Sequence, residues 1–218
     1  MCSSDLLLNR VGKSTFDTGG VWRPLFLYVG LTCWSFFSSS VTSAGASLVG
    51  NPLLNKVYAP REVFPIAQVC SSGVDAFASA ALTPLLFLAA GRWPSPTAYW
   101  VPVLVLILIV FTVAISIGVS AVTVYVRDLR SGMPLIMQLG LFLTPILYPI
   151  SQVPARFRTI TMVVNPIAGV VEGLRSCLFY DRAPDLQYTV IAAAASVVYL
   201  IGAFLLFKRL ETGFADVS

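Results

Sequence analysis

The stretch Trp100-Val-Pro-Val-Leu-Val-Leu-Ile-Leu-Ile-Val-Phe-Thr-Val-Ala-Ile-Ser-Ile-Gly-Val-Ser-Ala-Val-Thr-Val124 decides the fold. It contains no charged residue, and charge stays absent from Trp93 to Val126. About 20 apolar residues at ~1.5 Å each cross the roughly 30 Å of hydrocarbon in a bilayer, so this run reads as a transmembrane helix. Working outward, Leu186–Phe207 is also free of charge and is bounded by Asp185 and by Lys208-Arg209. Ile66–Ala90 is interrupted only by Asp75, and Met133–Ile150 begins just after Arg127, Asp128 and Arg130. Pro24–Leu48 carries no charge but is rich in hydroxyls, with Ser35, Ser38, Ser39, Ser40, Thr42, Ser43 and Ser47. Small polar residues at that density suit a helix packed on other helices rather than on lipid. The expectation is an all-α, polytopic transmembrane bundle of about five spans, near residues 24–48, 66–90, 100–124, 133–150 and 186–207.

Composition agrees with this. Of the 218 residues 57% are hydrophobic and 11% charged, against about 45–50% and about 25% in ordinary soluble domains. A soluble domain of this size has too little interior to hide so much apolar surface. The chain has no histidine, which excludes imidazole acid–base catalysis and His-ligated metals. Cys2, Cys33, Cys70 and Cys177 are widely spaced and form neither a zinc pattern nor a disulfide framework. Cys33 and Cys70 lie in apolar stretches and read as small hydrophobes. The net charge of +4 comes from basic residues scattered through the loops. That pattern points to membrane lipid and not to nucleic acid as the charged partner. Gly12-Lys13-Ser14-Thr15 matches the end of a phosphate-binding loop, but Leu7 stands where its leading glycine belongs. No apolar strand precedes it, so it is not read as a nucleotide site.

Ser151–Asp185 fits neither a span nor a simple loop. Its apolar run Ile160–Val171 is broken at Asn165-Pro166 and flanked by Pro154, Arg156, Arg158, Glu172 and Arg175. A proline-broken run of that length is too short to cross a bilayer and reads as a re-entrant or interfacial helical hairpin. Pro166 disfavours helix at Asn165 and suits the first turn of a following helix, so short helices are expected near 154–164 and 166–179. With five spans, the loops 50–65 and 125–132 and the C-terminal tail share one side. That side holds six basic residues at the higher density, although the other side holds more in total. By density, the first side is cytoplasmic. Residues 7–23 and the hairpin 151–185 then lie outside, and 208–218 form a cytoplasmic tail. Residues 1–6, Met-Cys-Ser-Ser-Asp-Leu, look like the translation of a sequencing adapter and are read as a non-native tail on a shortened chain.

Several segments together carry a family pattern. Pro24-Leu-Phe-Leu-Tyr-Val-Gly-Leu with Trp34-Ser-Phe-Phe37 resembles the second span of type-2 ABC transporter permeases that export polysaccharides. Asn51-Pro-Leu-Leu-Asn-Lys-Val-Tyr-Ala-Pro-Arg61 and Tyr125-Val-Arg-Asp-Leu-Arg130 resemble their two cytoplasmic loops. Thr144-Pro-Ile-Leu-Tyr-Pro149, Val164-Asn-Pro166 and Glu172-Gly-Leu-Arg175 resemble the end of the fifth span and the external hairpin. Each motif is weak alone, and their order and spacing are what is specific. The resemblance covers nearly everything from about residue 20 onward. It implies six spans per full subunit with the first missing here, and residues 24–207 as the transmembrane domain. It also implies a homodimer with a channel between subunits in the bacterial cytoplasmic membrane. The cargo would be a polysaccharide or lipid-linked glycan such as O-antigen, capsule or teichoic acid. This chain would then be no enzyme and would carry no cofactor, with ATP and Mg on a separate ABC ATPase subunit. The alternatives are a type-2 exporter of drugs or other small molecules, a membrane-embedded transferase and a membrane scaffold.

Within that frame Leu53, Leu54, Val57 and Tyr58 fall on one face of a short helix that Pro60 would end. Leu53, Leu54, Lys56, Tyr58 and Arg61 are the candidate ATPase-coupling residues, unless the helix simply lies on lipid. Arg127, Asp128 and Arg130 mark the second cytoplasmic loop. Pro154, Asn165, Pro166, Glu172 and Arg175 are the candidate external gate. Glu172 and Arg175 stand at i and i+3, where they can pair, either as part of a gate or as a surface salt bridge of little consequence. Asp75 is the one ionisable residue deep in a span, where a charge costs roughly 2.5–3.5 kcal/mol on insertion scales. It reads as a hydrogen bond to Ser or Thr on a neighbouring helix or, less directly, as a gate or substrate contact. Trp34, Phe36, Phe37 and Phe142 lie deeper than the aromatics of the interfacial belt and, with Asp75, are the candidate channel lining.

Overall fold

The computed structural model describes residues 23–49, 60–89, 91, 95–146, 148, 150 and 154–211. The described residues are helical, with no strand among them. The helices are α1 (Arg23–Ala46), α2 (Val63–Ala81), α3 (Thr83–Ala89), α4 (Val101–Tyr125), α5 (Asp128–Leu143), α6 (Ala155–Val164), α7 (Pro166–Phe179) and α8 (Leu186–Glu211). A 3-10 turn, Pro96–Trp100, leads into α4.

The charge-free stretch forms α4, the centre of the bundle. It packs against α8, α1, α7 and α2. Its buried face carries Leu104, Leu108, Phe111, Ala114 and Ile117, together with Thr112, Ser116, Ser120 and Thr123. Three of these hydroxyls bond back along the helix: Thr112 to the Leu108 carbonyl at 2.7 Å, Ser120 to Ile117 at 2.8 Å and Thr123 to Val119 at 2.8 Å, while Ser116 Oγ has no partner among the described residues. Side-chain satisfaction of this kind is what lets polar residues lie inside an apolar bundle. The hydroxyl-rich α1 buries Leu25, Phe26, Val29, Val41 and Ala44, and the Tyr28 hydroxyl donates to the Ser79 carbonyl of α2 at 2.7 Å.

Helix boundaries follow the prolines. The run near 66–90 is two helices, because Pro84 has no N–H to bond back and its ring crowds the turn before it. The break falls at Leu82, whose N–H still reaches back to Ser79. The span expected near 133–150 appears as α5, which starts earlier, at Asp128, and stops at Leu143. Asp128 favours the positive end of the helix dipole. At the other end Pro145 drives Thr144 to an extended conformation, with ψ 135°. At 16 residues, α5 is shorter than the roughly 20 that a perpendicular crossing needs. Among the described residues four helical segments are long and apolar enough to cross a membrane: Pro24–Ala46, Val63–Ala89, Pro96–Tyr125 and Leu186–Glu211. There are five if the bent pair α6–α7 counts as one. Cys33 is buried as expected, whereas Cys70 lies on the outer face of α2.

Candidate functional site

At one end of the bundle the chain turns through 109° between α6 and α7. The bend is built by Asn165, held at φ −135° and ψ 87°, with Pro166 opening α7. The Asn165 side chain accepts from the Ile167 N–H at 3.2 Å, capping α7, and its amide donates to the Thr144 hydroxyl at 2.6 Å. Thr144 in turn donates to the Gly140 carbonyl at 2.9 Å. One side chain therefore caps α7 and fastens the bend to the end of α5.

Helix α7 is buried nearly all round, unlike a hairpin lying on a surface. Its buried residues run from Pro166 through Val171 and include Gly173, Leu174, Arg175 and Cys177. Glycines let it sit deep. A Cβ at Gly173 would lie 3.0 Å from Leu104, and one at Gly169 would lie 3.1 Å from Ala192.

Arg175 is only 1% exposed. The surface salt bridge with Glu172 allowed by their spacing is absent, and among the described residues no ion pair joins them. The guanidinium instead donates to the carbonyls of Pro145 and Ile146, just past the end of α5. It also lies over the Phe26 ring of α1, 3.7 Å from the centroid. The geometry explains the choice. A turn broken by Pro145 leaves carbonyls unpaired inside the bundle, and a planar cation with several donors satisfies two of them at once. Gly30 makes room, since a Cβ there would lie 3.0 Å from the guanidinium. Glu172 makes no ion pair with it but takes a backbone hydrogen bond from Ile150. There it borders a cavity of about 160 Å³ whose wall includes Ser176, Asp185, Tyr188 and Thr189. Pro154 is exposed at the start of α6.

The opposite end gathers the charged segments. Lys208, in the last turn of α8, forms ion pairs with Glu62 and with Glu211, the latter at 2.9 Å. Its hydrogen bond holds the Glu62 carboxyl below the usual carboxylate range. Arg61 donates to the Glu211 carbonyl at 3.5 Å, and the Tyr125 hydroxyl to the Leu210 carbonyl at 2.8 Å. Arg127, Asp128 and Arg130 are exposed at the start of α5. The first loop's exit, the α4–α5 turn and the end of α8 thus share one end, as alternation of the spans requires. Leu53, Leu54, Lys56 and Tyr58 lie outside the described residues.

Between these ends the candidate channel lining divides. Trp34, Phe36 and Phe37 are core residues. Phe37 stacks on Phe111 with centroids 5.5 Å apart, and Trp34 presses on Gly140, where a Cβ would lie 2.9 Å from its ring. Within a single chain these rings are buried. Phe142 and Asp75 are exposed on the outer surface. The carboxylate of Asp75 makes no hydrogen bond to a Ser or Thr among the described residues; only its backbone carbonyl accepts from Ser79, at 3.0 Å. Sequence reasoning did not single out Glu62, Lys208, Phe26, Gly30 or Thr144 as individual site residues. The readable signal was the proline after Thr144 and the lone arginine in α7.

A bundle of long apolar helices with its charge gathered at the ends defines an integral membrane protein. The family described as ABC-2 type transporter matches residues 5–179. A relative described as O-antigen export system permease protein RfbA, from Myxococcus xanthus, is 33% identical over 196 residues, covering 88% of this chain and 75% of the relative. One of the same description from Klebsiella pneumoniae is 29% identical over 195 residues, covering 88% and 74%. The chain belongs to the ABC-2 type transporter family and is a membrane permease.

Proposed function

We propose that this chain is the membrane subunit of an ABC exporter that moves a polysaccharide or lipid-linked glycan across the bacterial cytoplasmic membrane. A separate ATPase subunit would bind ATP and Mg and supply the energy, and two copies of the permease would enclose the path. The relatives named as O-antigen export permeases support the cargo class.

The observation that carries the reading is the joining of three segments at one end of the bundle. Glu62 after the first loop, Tyr125 before the α4–α5 turn and the end of α8 are bonded to one another. That end is the cytoplasmic one, where an ATPase would press on residues 51–61 and on Arg127, Asp128 and Arg130. At the other end the bent pair α6–α7 would act as the external gate, with the cavity beside Glu172 at its margin. Asp75 and Phe142, exposed on a single chain, would face the second copy or the path.

The test is reconstitution in liposomes with a candidate ABC ATPase from the same organism. The expected result is co-purification of the two, and ATP hydrolysis that rises when a lipid-linked glycan is added. Hydrolysis indifferent to glycans but raised by small amphiphilic drugs would move the chain to the small-molecule exporters.

A further inference from the structure

Lys208 occupies an unusual place in the bundle. Its ammonium lies between Glu62 and Glu211 and over the Phe204 ring, 5.6 Å from the centroid. Glu62 is the residue immediately before α2, at the exit of the first loop. The Glu62 side chain is 14% exposed, and its second oxygen, Oε2, is buried without a partner among the described residues. The end of α8 is held from two further directions. Arg61 donates to the carbonyl of Glu211, and Tyr125 to that of Leu210. These are terminal carbonyls of the helix, which have no partner within it and need outside donors. Three chain segments that lie far apart in sequence are therefore knotted around one helix end.

Pairs as exposed as Lys208 stabilise a fold very little. What this pair does is geometric, since it ties the residue just before α2 to the last turn of α8. Helix α8 is also the element packed most extensively on the central α4. A push on the loop is then delivered to α8 and α4 together and is not absorbed by bending at residue 62.

We propose that Lys208 is a positioning residue for energy coupling: its bridge from Glu62 to Glu211 holds the exit of the first loop rigidly to α8. This rests on the export reading above, in which that loop receives the ATPase.

The test compares the wild type with Lys208→Met, Lys208→Glu and the exchange Glu62→Lys with Lys208→Glu, each in the complex with its ATPase. Lys208→Met keeps an unbranched side chain and removes the ammonium that makes both ion pairs. One readout is the ATP hydrolysis of the complex relative to the ATPase alone. The second is amide hydrogen exchange across residues 60–66, which needs no ATPase. Both single variants are expected to co-purify with the ATPase, to exchange faster at 60–66, and to lose about fivefold of the permease-dependent hydrolysis, a typical inter-site coupling. The exchanged pair is expected to recover both in part, because it restores the contact between positions 62 and 208 but leaves a carboxylate at 208 beside Glu211. Unchanged exchange, or faster exchange with unchanged hydrolysis, overturns the proposal, as does an exchanged pair no better than the singles. A wild-type chain that leaves hydrolysis by the ATPase unaltered defeats the export reading itself, a result separate from any behaviour of the variants.

Discussion

Arg175 lies with its guanidinium carbon 3.7 Å from the centroid of the Phe26 ring, so a charge on α7 is sealed against α1 inside the bundle. The same group bonds the two carbonyls that follow α5. Replacing it strands those carbonyls, and each unsatisfied buried acceptor costs about 1–3 kcal/mol. Arg175→Met should therefore lower the thermal unfolding midpoint of the detergent-solubilised protein by several degrees. Arg175→Lys should recover only part of the loss, because a point-like ammonium cannot span two carbonyls and a ring. Equal midpoints for Lys and wild type would show that the planar fork is not needed.

The glycines facing this site allow a graded test. At Gly30 a methyl group would meet both the Arg175 guanidinium and the Ile146 side chain at 3.0 Å, and at Gly140 it would meet the Trp34 ring at 2.9 Å. Gly30→Ala and Gly140→Ala should each destabilise by about 1–3 kcal/mol through overpacking. Gly202, in α8, has nothing within 4 Å of a built Cβ. Gly202→Ala should be neutral or slightly stabilising, since alanine loses less entropy in a helix. Thermal midpoints of the three variants, taken side by side, check the order.

Asn165 has two separable bonds. Asn165→Asp keeps the acceptor for the Ile167 N–H and removes the donor to Thr144, whereas Asn165→Ala removes both. Loss of a helix cap costs about 0.5–2 kcal/mol, so Ala should unfold earlier than Asp, and Asp earlier than wild type. A midpoint for Asp at or below that of Ala would mean that the cap contributes no net stability, since both variants lack the bond to Thr144.

The ion pair at the other end predicts an acid dependence. Lys208 lowers the carboxyl of Glu62 in the folded protein. A group depressed on folding stabilises above its unfolded value and loses that contribution as pH falls through its folded one. The groups facing it are Lys208, Glu211 through Lys208, and Arg61 at the Glu211 carbonyl. Amide exchange across residues 60–66 should accelerate as pH drops below the ordinary carboxylate range, after correction for the intrinsic rate. In Lys208→Met that acceleration should shrink. An identical profile in the variant would rule out Lys208 as its cause.

How much of this was legible in the sequence depends on the physics at each residue. Helices α1, α4 and α8 follow from absent charge, and the α6–α7 bend from Asn165-Pro166, because hydropathy and proline sterics act locally. The early end of α5 was written in Pro145 but was masked by the apolar residues that continue past it. The partner of Arg175 could not be read at all. Its spacing from Glu172 offered a local pair, while the carbonyls that claim it lie about thirty residues upstream and were freed by a different proline. The packing of Trp34, Phe36 and Phe37 inside the chain was hidden for a related reason: depth in a span does not say which way a ring points. Lys208 looked like an ordinary charge flanking the membrane, and its link to Glu62 exists only once α2 and α8 end side by side.

The burial of α7 sets an order of assembly. Its arginine is received by Phe26 of α1 and by the carbonyls after α5, which are synthesised before it, and its glycines are pressed by Leu104 of α4 and Ala192 of α8. Left in hydrocarbon before those surfaces have met, the arginine would have no comparable set of partners. The hairpin is therefore a closing piece, able to seat only in a nearly finished bundle. Lesions anywhere around its socket should converge on one biogenesis defect, a chain that is inserted in the membrane but left unlocked.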